Sequence, residues 1–452
     1  MNTAARRIGR LVLVTVLFLA ALTGVTALGM TTTMSQSFPA PPPGSAGQGW
    51  SAPPTVPADR KTVAVVVGDT GSVATDVLVP YEVFARSPEF FVYTVGRTRD
   101  PKALSGGLHL VPDRTFAETA PAPDVVVVPA VASPTGNAEA PMRDWVAAQA
   151  AAGSRVLGVC AGTEVLAAGG LLEGREATSH WSAVDTLERS YPNTRWVRGQ
   201  RYVQDGPITT TAGVTSGAAG ALEMIGQLAG EPEEARVGAE LAYPGWSPTG
   251  GTSIPVHRRE VSDLPFFLNA VFPWGRPAVA VGLTDGIGEI EAAAAADVYN
   301  GASFAARTIA LGATPTITTR HGVLLTVQQA GPSTPPVDRV LAPGGNDVDP
   351  RLTDWATARG LTVDQPARGS TGFGFNPLLD DLAATGDRAT AVAAAQYAEY
   401  PTTHLDLTGP AWPWRPTALL AATAAAASGL AALTATAAGV LVRRRHEGKH
   451  RR

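Results

Sequence analysis

Val156-Leu157-Gly158-Val159-Cys160-Ala161-Gly162, running without a break into Thr163-Glu164-Val165-Leu166-Ala167-Ala168-Gly169-Gly170, is the stretch on which the reading of this chain turns. An apolar strand-like run meets a cysteine between two glycines and passes directly into a helical pattern. A tight strand-to-helix turn of this kind lifts the side chain at its apex out above a sheet, and glycines tolerate the close backbone approach it needs. At the start of a helix the sulfur sits where the backbone dipole favours a thiolate, and the following N–H groups, Ala161 first, are placed to bind an oxyanion. The alternative is a buried free cysteine that acts as a small hydrophobe.

The surrounding pattern supplies the sheet this turn requires. Thr62 to Val67 (TVAVVV) is a continuous β-branched run, Phe90 to Val95 is a second, and Asp124 to Pro129 (DVVVVP) a third. Runs without polar alternation are strands buried on both faces. Helical stretches fall near Val77 to Ala85, Glu139 to Ala152, Thr163 to Ala168 and Ala218 to Ala229. Strand and helix in alternation predict a parallel sheet covered on both sides, one α/β domain over residues 62–248. A second pass of the same order follows over residues 278–405. Ala278-Val-Ala-Val-Gly-Leu283 mirrors Val63 to Val67, Asp297-Val298-Tyr299 mirrors Glu82-Val83-Phe84, Val340-Leu-Ala-Pro-Gly-Gly345 mirrors Val126 to Pro129, and Ala398-Glu-Tyr-Pro401 mirrors Glu240 to Pro244. Four matches in one order predict an internal duplication. The fold class expected is thus α/β, two flavodoxin-like doubly wound parallel-sheet domains joined by a linker at 249–277.

The segment VLGVCAGTEVLAAGGLLEGREATSHW (residues 156–181), with Thr211-Ala-Gly-Val-Thr-Ser-Gly-Ala-Ala-Gly220 downstream, resembles the DJ-1/PfpI superfamily, the class I glutamine amidotransferase-like fold. The branch it is most similar to includes isonitrile hydratases and the N-terminal domains of AraC-type regulators. The resemblance implies a nucleophile at Cys160, an acidic partner at Asp76 that hydrogen-bonds it, and a histidine near the site at His180, as base or substrate contact. For Asp76 the competing role is a helix N-cap, and for His180 a structural hydrogen bond to the backbone. The family's Gly-Gly pair, whose backbone helps to form an oxyanion pocket, is replaced here by Ala130 and Val131 after Pro129, so the backbone contribution expected at Ala130 is altered. The second copy keeps Pro343-Gly344-Gly345 and an acid, Glu291, at the place matching Asp76, yet no cysteine follows residue 160. It cannot run cysteine chemistry and is expected to be degenerate. Homodimers are common in the family, so an internal pseudo-dimer, or a homodimer, is the expected assembly.

The ends read as membrane segments. Arg6, Arg7 and Arg10 precede the uncharged run Leu11 to Leu28, either an anchor or a signal peptide cleaved near Ala27-Leu28-Gly29. Residues 31–61, with the Pro-rich run Ser37 to Pro57, read as a semi-extended stalk. Thr417 to Val442 carries no charge, is preceded by Trp412 and Trp414, and is followed by Arg443, Arg444 and Arg445, the pattern of a transmembrane helix over 416–442 with a basic cytoplasmic tail at 443–452. Positive charge outside both apolar runs predicts both ends in the cytoplasm and the middle outside the cell membrane.

Composition narrows the function classes. The 452 residues are 45% hydrophobic and only 16% charged, a balance that excludes wholesale disorder. The formal charge of −4 leaves no basic surplus for a phosphate backbone, so nucleic acid is not an expected partner. A single cysteine excludes an intramolecular disulfide or a multi-cysteine zinc site, and no P-loop, dinucleotide fingerprint or metal-ligand spacing of histidines stands out, so neither a cofactor nor a metal is expected. The sequence thus leads to an extracytoplasmic, membrane-anchored protein with Cys160, Asp76 and His180 acting on a small carbonyl, amide or isonitrile. The alternative is a non-catalytic ligand or redox sensor using the same pocket.

Overall fold

The computed structural model describes residues 3–42, 49–345 and 347–449. The β-branched runs form the centre of a seven-stranded sheet in the order Tyr202–Asp205, Ile208–Thr211, Arg155–Gly158, Val125–Val128, Lys61–Val66, Phe90–Gly96, Arg114–Thr115. All neighbours are parallel except the first pair, which is antiparallel. Val63 to Val66 and Val125 to Val128 are wholly buried, as strands with helices on both faces must be. A second sheet, all parallel, runs Gln328–Gln329, Arg307–Gly312, Ala278–Leu283, Arg339–Leu341, Val363–Asp364. In both sheets the first strand in the chain is flanked by the next on one side and by a later strand, Val125–Val128 or Arg339–Leu341, on the other.

The two halves pack face to face and share one apolar core. Helix Ala74–Ala85 lies against helix Glu289–Ala296, and the contacts are reciprocal. Glu82 Oε2 accepts the Ile290 N–H (2.8 Å), while Asp297 Oδ2 accepts the Thr75 N–H (2.9 Å); Thr75 and Ile290, like Glu82 and Asp297, stand 215 positions apart. Strand His109–Val111 pairs antiparallel with Leu324–Thr326, with Leu110 opposite Leu325, so exchanging the halves at that same offset of 215 maps the pairing onto itself. This is the signature of an isologous interface, here within one chain.

Three expectations from sequence change. Residues 31–37 are not stalk but the last two turns of a continuous helix, Thr3–Ser37. The body holds them: Thr33 Oγ1 donates to the Ala270 carbonyl (2.8 Å), Ser37 Oγ to Asn300 Oδ1 (2.6 Å), and Arg276 bonds Gln36. The Pro-rich run does not stand free either, since the Phe38 ring packs on Gly71 and the Pro39 carbonyl meets His109 Nε2 at 2.9 Å; residues 43–48 lie outside the described residues. The linker at 249–277 contains a helix of its own, Leu264–Val271, entered through a 3-10 turn at Val261–Asp263. At the termini, Leu11–Ser37 and Trp414–Thr434 are both long and apolar enough to cross a membrane, and the two terminal helices lie side by side.

Candidate active site

The elbow has the geometry its glycines imply. Strand Arg155–Gly158 ends two residues before Cys160, and helix Gly162–Ala168 begins two residues after it. Cys160 takes φ 57°, a left-handed conformation that a residue with a Cβ adopts only at a cost of about 1–2 kcal/mol. A Cβ on Gly162 would run into the Val128 carbonyl, so this glycine is needed for the strand and helix to close this tightly, and one on Gly158 would press on the Leu166 side chain at 2.7 Å. The strained turn is pinned on three sides. The Cys160 N–H donates to Thr211 Oγ1 (3.3 Å), and its carbonyl accepts Thr163 Oγ1 and Ser179 Oγ, both at 3.0 Å.

Asp76 sits in the first turn of helix Ala74–Ala85 and is fully buried. Val73, not Asp76, occupies the N-cap, and the carboxylate instead accepts the Ala130 N–H at Oδ2 (3.0 Å). Its other oxygen, Oδ1, has no hydrogen-bond partner among the described residues. Burial holds this carboxyl well above the usual carboxylate range; the Asp297 charge adds to the effect and the Ala130 N–H opposes it. Asp76 in turn acts electrostatically on Cys160. Burial pushes the Cys160 thiol well above its ordinary range, with the charges of Asp76, Glu399 and Asp297 acting in the same direction against the Ala161 N–H, which faces the sulfur.

The expected thiolate is therefore corrected to a thiol. A seven-residue helix has a weak dipole, and removing the sulfur from water beside carboxyl groups outweighs it. The expected oxyanion donors change as well. The Ala130 N–H is taken by Asp76, and the Ala161 N–H is directed at the sulfur itself.

His180 is buried beside the elbow, but both ring nitrogens are committed. Nδ1 accepts from Ser182 as the cap of helix Trp181–Ser190, with Ser182 Oγ at 2.7 Å, and Nε2 donates to the Tyr397 carbonyl at 2.7 Å. Burial lowers its pKa to about 4, so the ring is neutral at pH 7. Neither nitrogen is hydrogen-bonded to Cys160. His180 thus bonds the Tyr397 carbonyl and caps the helix that flanks the elbow.

Three residues of the second half, which sequence reasoning did not single out as site residues, close the site. Asp297 Oδ2 takes the Thr75 N–H and hydroxyl, and its Oδ1 takes the Ser105 hydroxyl (2.5 Å). Burial pushes the Tyr397 hydroxyl up, and the nearby Cys160, Asp76 and Asp297 act in the same direction. Glu399 reaches back to accept the Gly213 N–H at 2.6 Å and the Trp181 N–H, and burial raises its pKa to about 7. Glu399 takes φ 49°, as does its counterpart Ala242 at 50°. The signal was present in the mirrored Ala398-Glu-Tyr-Pro401, where a glutamate replaces the Ala of Leu-Ala-Tyr-Pro244.

Glu291, the acid matching Asp76, lies 4.0 Å from Arg320, and the second half has no cysteine for it to serve. Glu82, Glu289 and His321 are the one group among the described residues whose donor atoms crowd as a cation site does, all within 4.8 Å. Their atoms are already engaged. Arg86 and the Ile290 N–H hold Glu82, and Thr319 and His321 hold Glu289.

Residues 61–227 match the model of the DJ-1/PfpI family. The isonitrile hydratase of Pseudomonas putida is 36% identical over 171 residues, 37% of this chain and 72% of that protein. The HTH-type transcriptional regulator CdhR of Pseudomonas aeruginosa is 42% identical over 73 residues, 16% of this chain and 21% of the regulator. A crystal structure of a ThiJ/PfpI family protein from Pseudomonas syringae aligns with a TM-score of 0.38 and 26% identity, covering 47% of this chain and 84% of the other. With its elbow, parallel sheet and buried Asp76 all inside the matched residues, this chain belongs to the DJ-1/PfpI family.

Proposed function

We propose that the first half is a cysteine-dependent hydratase or hydrolase acting on a small, neutral, electrophilic carbon, an isonitrile foremost and a carbonyl or amide next, and that the second half is a degenerate copy of the first that seals its site. The observation that carries this reading is a strained, buried Cys160 under the electrostatic influence of a buried Asp76, one of whose oxygens has no hydrogen-bond partner among the described residues. The likeness to an isonitrile hydratase supports the substrate class. Because burial biases both groups toward their protonated forms, the pair suits adding S–H across an unsaturated carbon rather than displacing a leaving group as a free thiolate. With an isonitrile R–NC, sulfur bonds to the terminal carbon while Asp76 delivers a proton to that carbon and recovers the thiol proton, giving the thioimidate R–N=CH–S–Cys160. Water then adds to the same carbon, the C–S bond breaks, sulfur regains its proton, and the formamide R–NH–CHO leaves. The sum is one isonitrile plus one water.

Purified full chain in detergent tests this with an isonitrile, carbonyl and amide panel beside Cys160→Ala and Asp76→Asn. Formamide production that disappears in both variants is expected. Turnover retained without Cys160 refutes the assignment. A second reading, a ligand-binding module without turnover, is favoured by the closure of Tyr397 and Glu399 over the elbow, and predicts saturable binding with no product. A redox sensor fits less well, since oxidation selects exposed thiolates and Cys160 is a buried thiol.

The two apolar helices are proposed as uncleaved membrane spans with the body outside the cytoplasm. They enter the body at neighbouring points, with Gly29 packed on Val271 and Arg415 bonded to the Phe272 and Trp274 carbonyls, so both free ends fall on one side. Protease added to intact cells should remove the body and spare a C-terminal tag. Loss of the tag overturns this topology.

A further inference from the structure

The helix between the halves has one apolar face that the described residues leave partly uncovered. Val261 is 75% exposed, Leu264 43%, Phe267 37% and Trp274 39%. With the half-buried Val271 between Phe267 and Trp274 they recur every three or four residues, one stripe along the segment, roughly 15 Å long at about 1.5 Å per residue. The opposite face is anchored. Asp263 bonds His257, Asn269 bonds Thr390, and the Ala270 carbonyl receives Thr33 from the N-terminal apolar helix. The stripe therefore ends where both apolar helices leave the body, next to Trp414, which is 70% exposed. Arg258 and Arg259 precede it, exposed and without an ion pair among the described residues. Basic residues followed by an apolar stripe bearing tryptophan are the composition of a helix that lies in a headgroup layer.

Behind the stripe is a cavity of about 140 Å³, lined by Trp181, Arg259, Phe266, Phe267 and Tyr397. Phe267 belongs to both the stripe and the cavity. The Phe266 ring stacks on Tyr397 with centroids 4.4 Å apart, and Tyr397 lies 4.7 Å from the His180 ring at the elbow. A chain of touching rings, Phe266, Tyr397 and His180, thus links the wall of this cavity to the residues that flank the elbow.

We propose that the segment Val261–Val271 rests in the bilayer interface, and that the cavity behind Phe267 is a membrane-side entrance to Cys160, so that the substrates are small apolar or amphiphilic molecules that arrive from the lipid. This rests on the terminal helices being spans and on Cys160 being the reactive group. The bilayer is the occupant because the stripe is continuous with the spans' own point of entry into the body.

Full chain reconstituted in vesicles of phosphatidylcholine with phosphatidylglycerol tests it. In a Cys160→Ala background, an environment-sensitive fluorophore is attached at Val261→Cys, Leu264→Cys or Phe267→Cys, at Leu19→Cys within the first span, and at Ala151→Cys on the first half. Doxyl-labelled lipids should quench the three stripe positions and Leu19 and leave Ala151 bright. Quenching at Leu19 with a bright stripe overturns the interfacial helix and leaves the spans intact; a bright Leu19 removes the spans and this proposal with them. With native Cys160, a dodecyl maleimide should label at least tenfold faster than a sulfonated one in vesicles, and Leu264→Asp with Phe267→Asp should erase the difference. Equal rates for the two reagents in the unaltered chain overturn the entrance.

Discussion

Raising the pH from 5 to 8 should weaken the grip of the second half on the elbow through a single group, Glu399. Its carboxyl is buried against the Gly213 and Trp181 N–H groups, with its pKa moved from the ordinary 4.5 to about 7. Between those values the native state keeps a proton that the unfolded chain has released. The stabilisation is fully present below about pH 4.5 and is lost as pH rises through 7; a displacement of this size corresponds to roughly 3 kcal/mol. Glu399→Gln keeps an oxygen to accept the Gly213 N–H but never ionises. Guanidinium unfolding of the full chain in detergent, native and variant side by side at pH 5 and pH 8, isolates the effect from other titrating groups such as Glu234, which burial also raises to about 7. The variant should match the native chain at pH 5 and exceed it by roughly 3 kcal/mol at pH 8. A gap that does not change with pH would mean that Glu399 is solvated and that the second half does not seal the site.

Other perturbations test the elbow and the interface separately. Cys160→Gly relieves the positive φ that Cys160→Ala retains, so the glycine variant should be more stable than the alanine one by about 1 kcal/mol in the same unfolding experiment. Gly162→Ala drives a Cβ into the Val128 carbonyl and should cost about 3 kcal/mol or more while abolishing turnover, read by unfolding and by formamide production. Asp297→Ala strands the Thr75 N–H and hydroxyl and the Ser105 hydroxyl in the interface; a loss of about 3 kcal/mol is expected, together with faster alkylation of Cys160 as the halves loosen, measured by intact mass. In the native chain, alkylation by iodoacetamide should be slow at pH 7 and accelerate only above the usual thiol range, because burial and carboxyl charge keep Cys160 protonated.

Much of the first half was legible because its signals are local. A strand buried on both faces has to be a β-branched run, and an elbow has to have small residues around its apex, so Val63 to Val66, Val125 to Val128 and Gly158 to Gly162 declared themselves. Asp76 was placed at the site only through family resemblance. Nothing local distinguishes an acid that caps a helix from one that accepts the Ala130 N–H across the sheet. The Pro-rich run and the segment before Ala278 misled in one way: composition reports whether residues can build a core, not whether they lie against one. Residues 31–37 and 261–271 are held by partners such as Ala270, Asn300 and Thr390, remote in sequence.

By itself the sequence determined the alternation of strand and helix, the single cysteine at a glycine-flanked turn, the repetition of the pattern after Ala278 and the two apolar ends. These follow from periodicity, residue size and hydropathy, which act over a few neighbours. The tertiary structure alone decided the state of the chemistry. Whether Cys160 is thiolate or thiol, whether His180 has a free nitrogen and whether the Ala130 and Ala161 N–H groups are available depend on burial, on the carboxyl groups of Asp297 and Glu399 and on the Tyr397 carbonyl, all more than a hundred residues away. Desolvation and Coulomb interaction act through space, and the fold sets those distances.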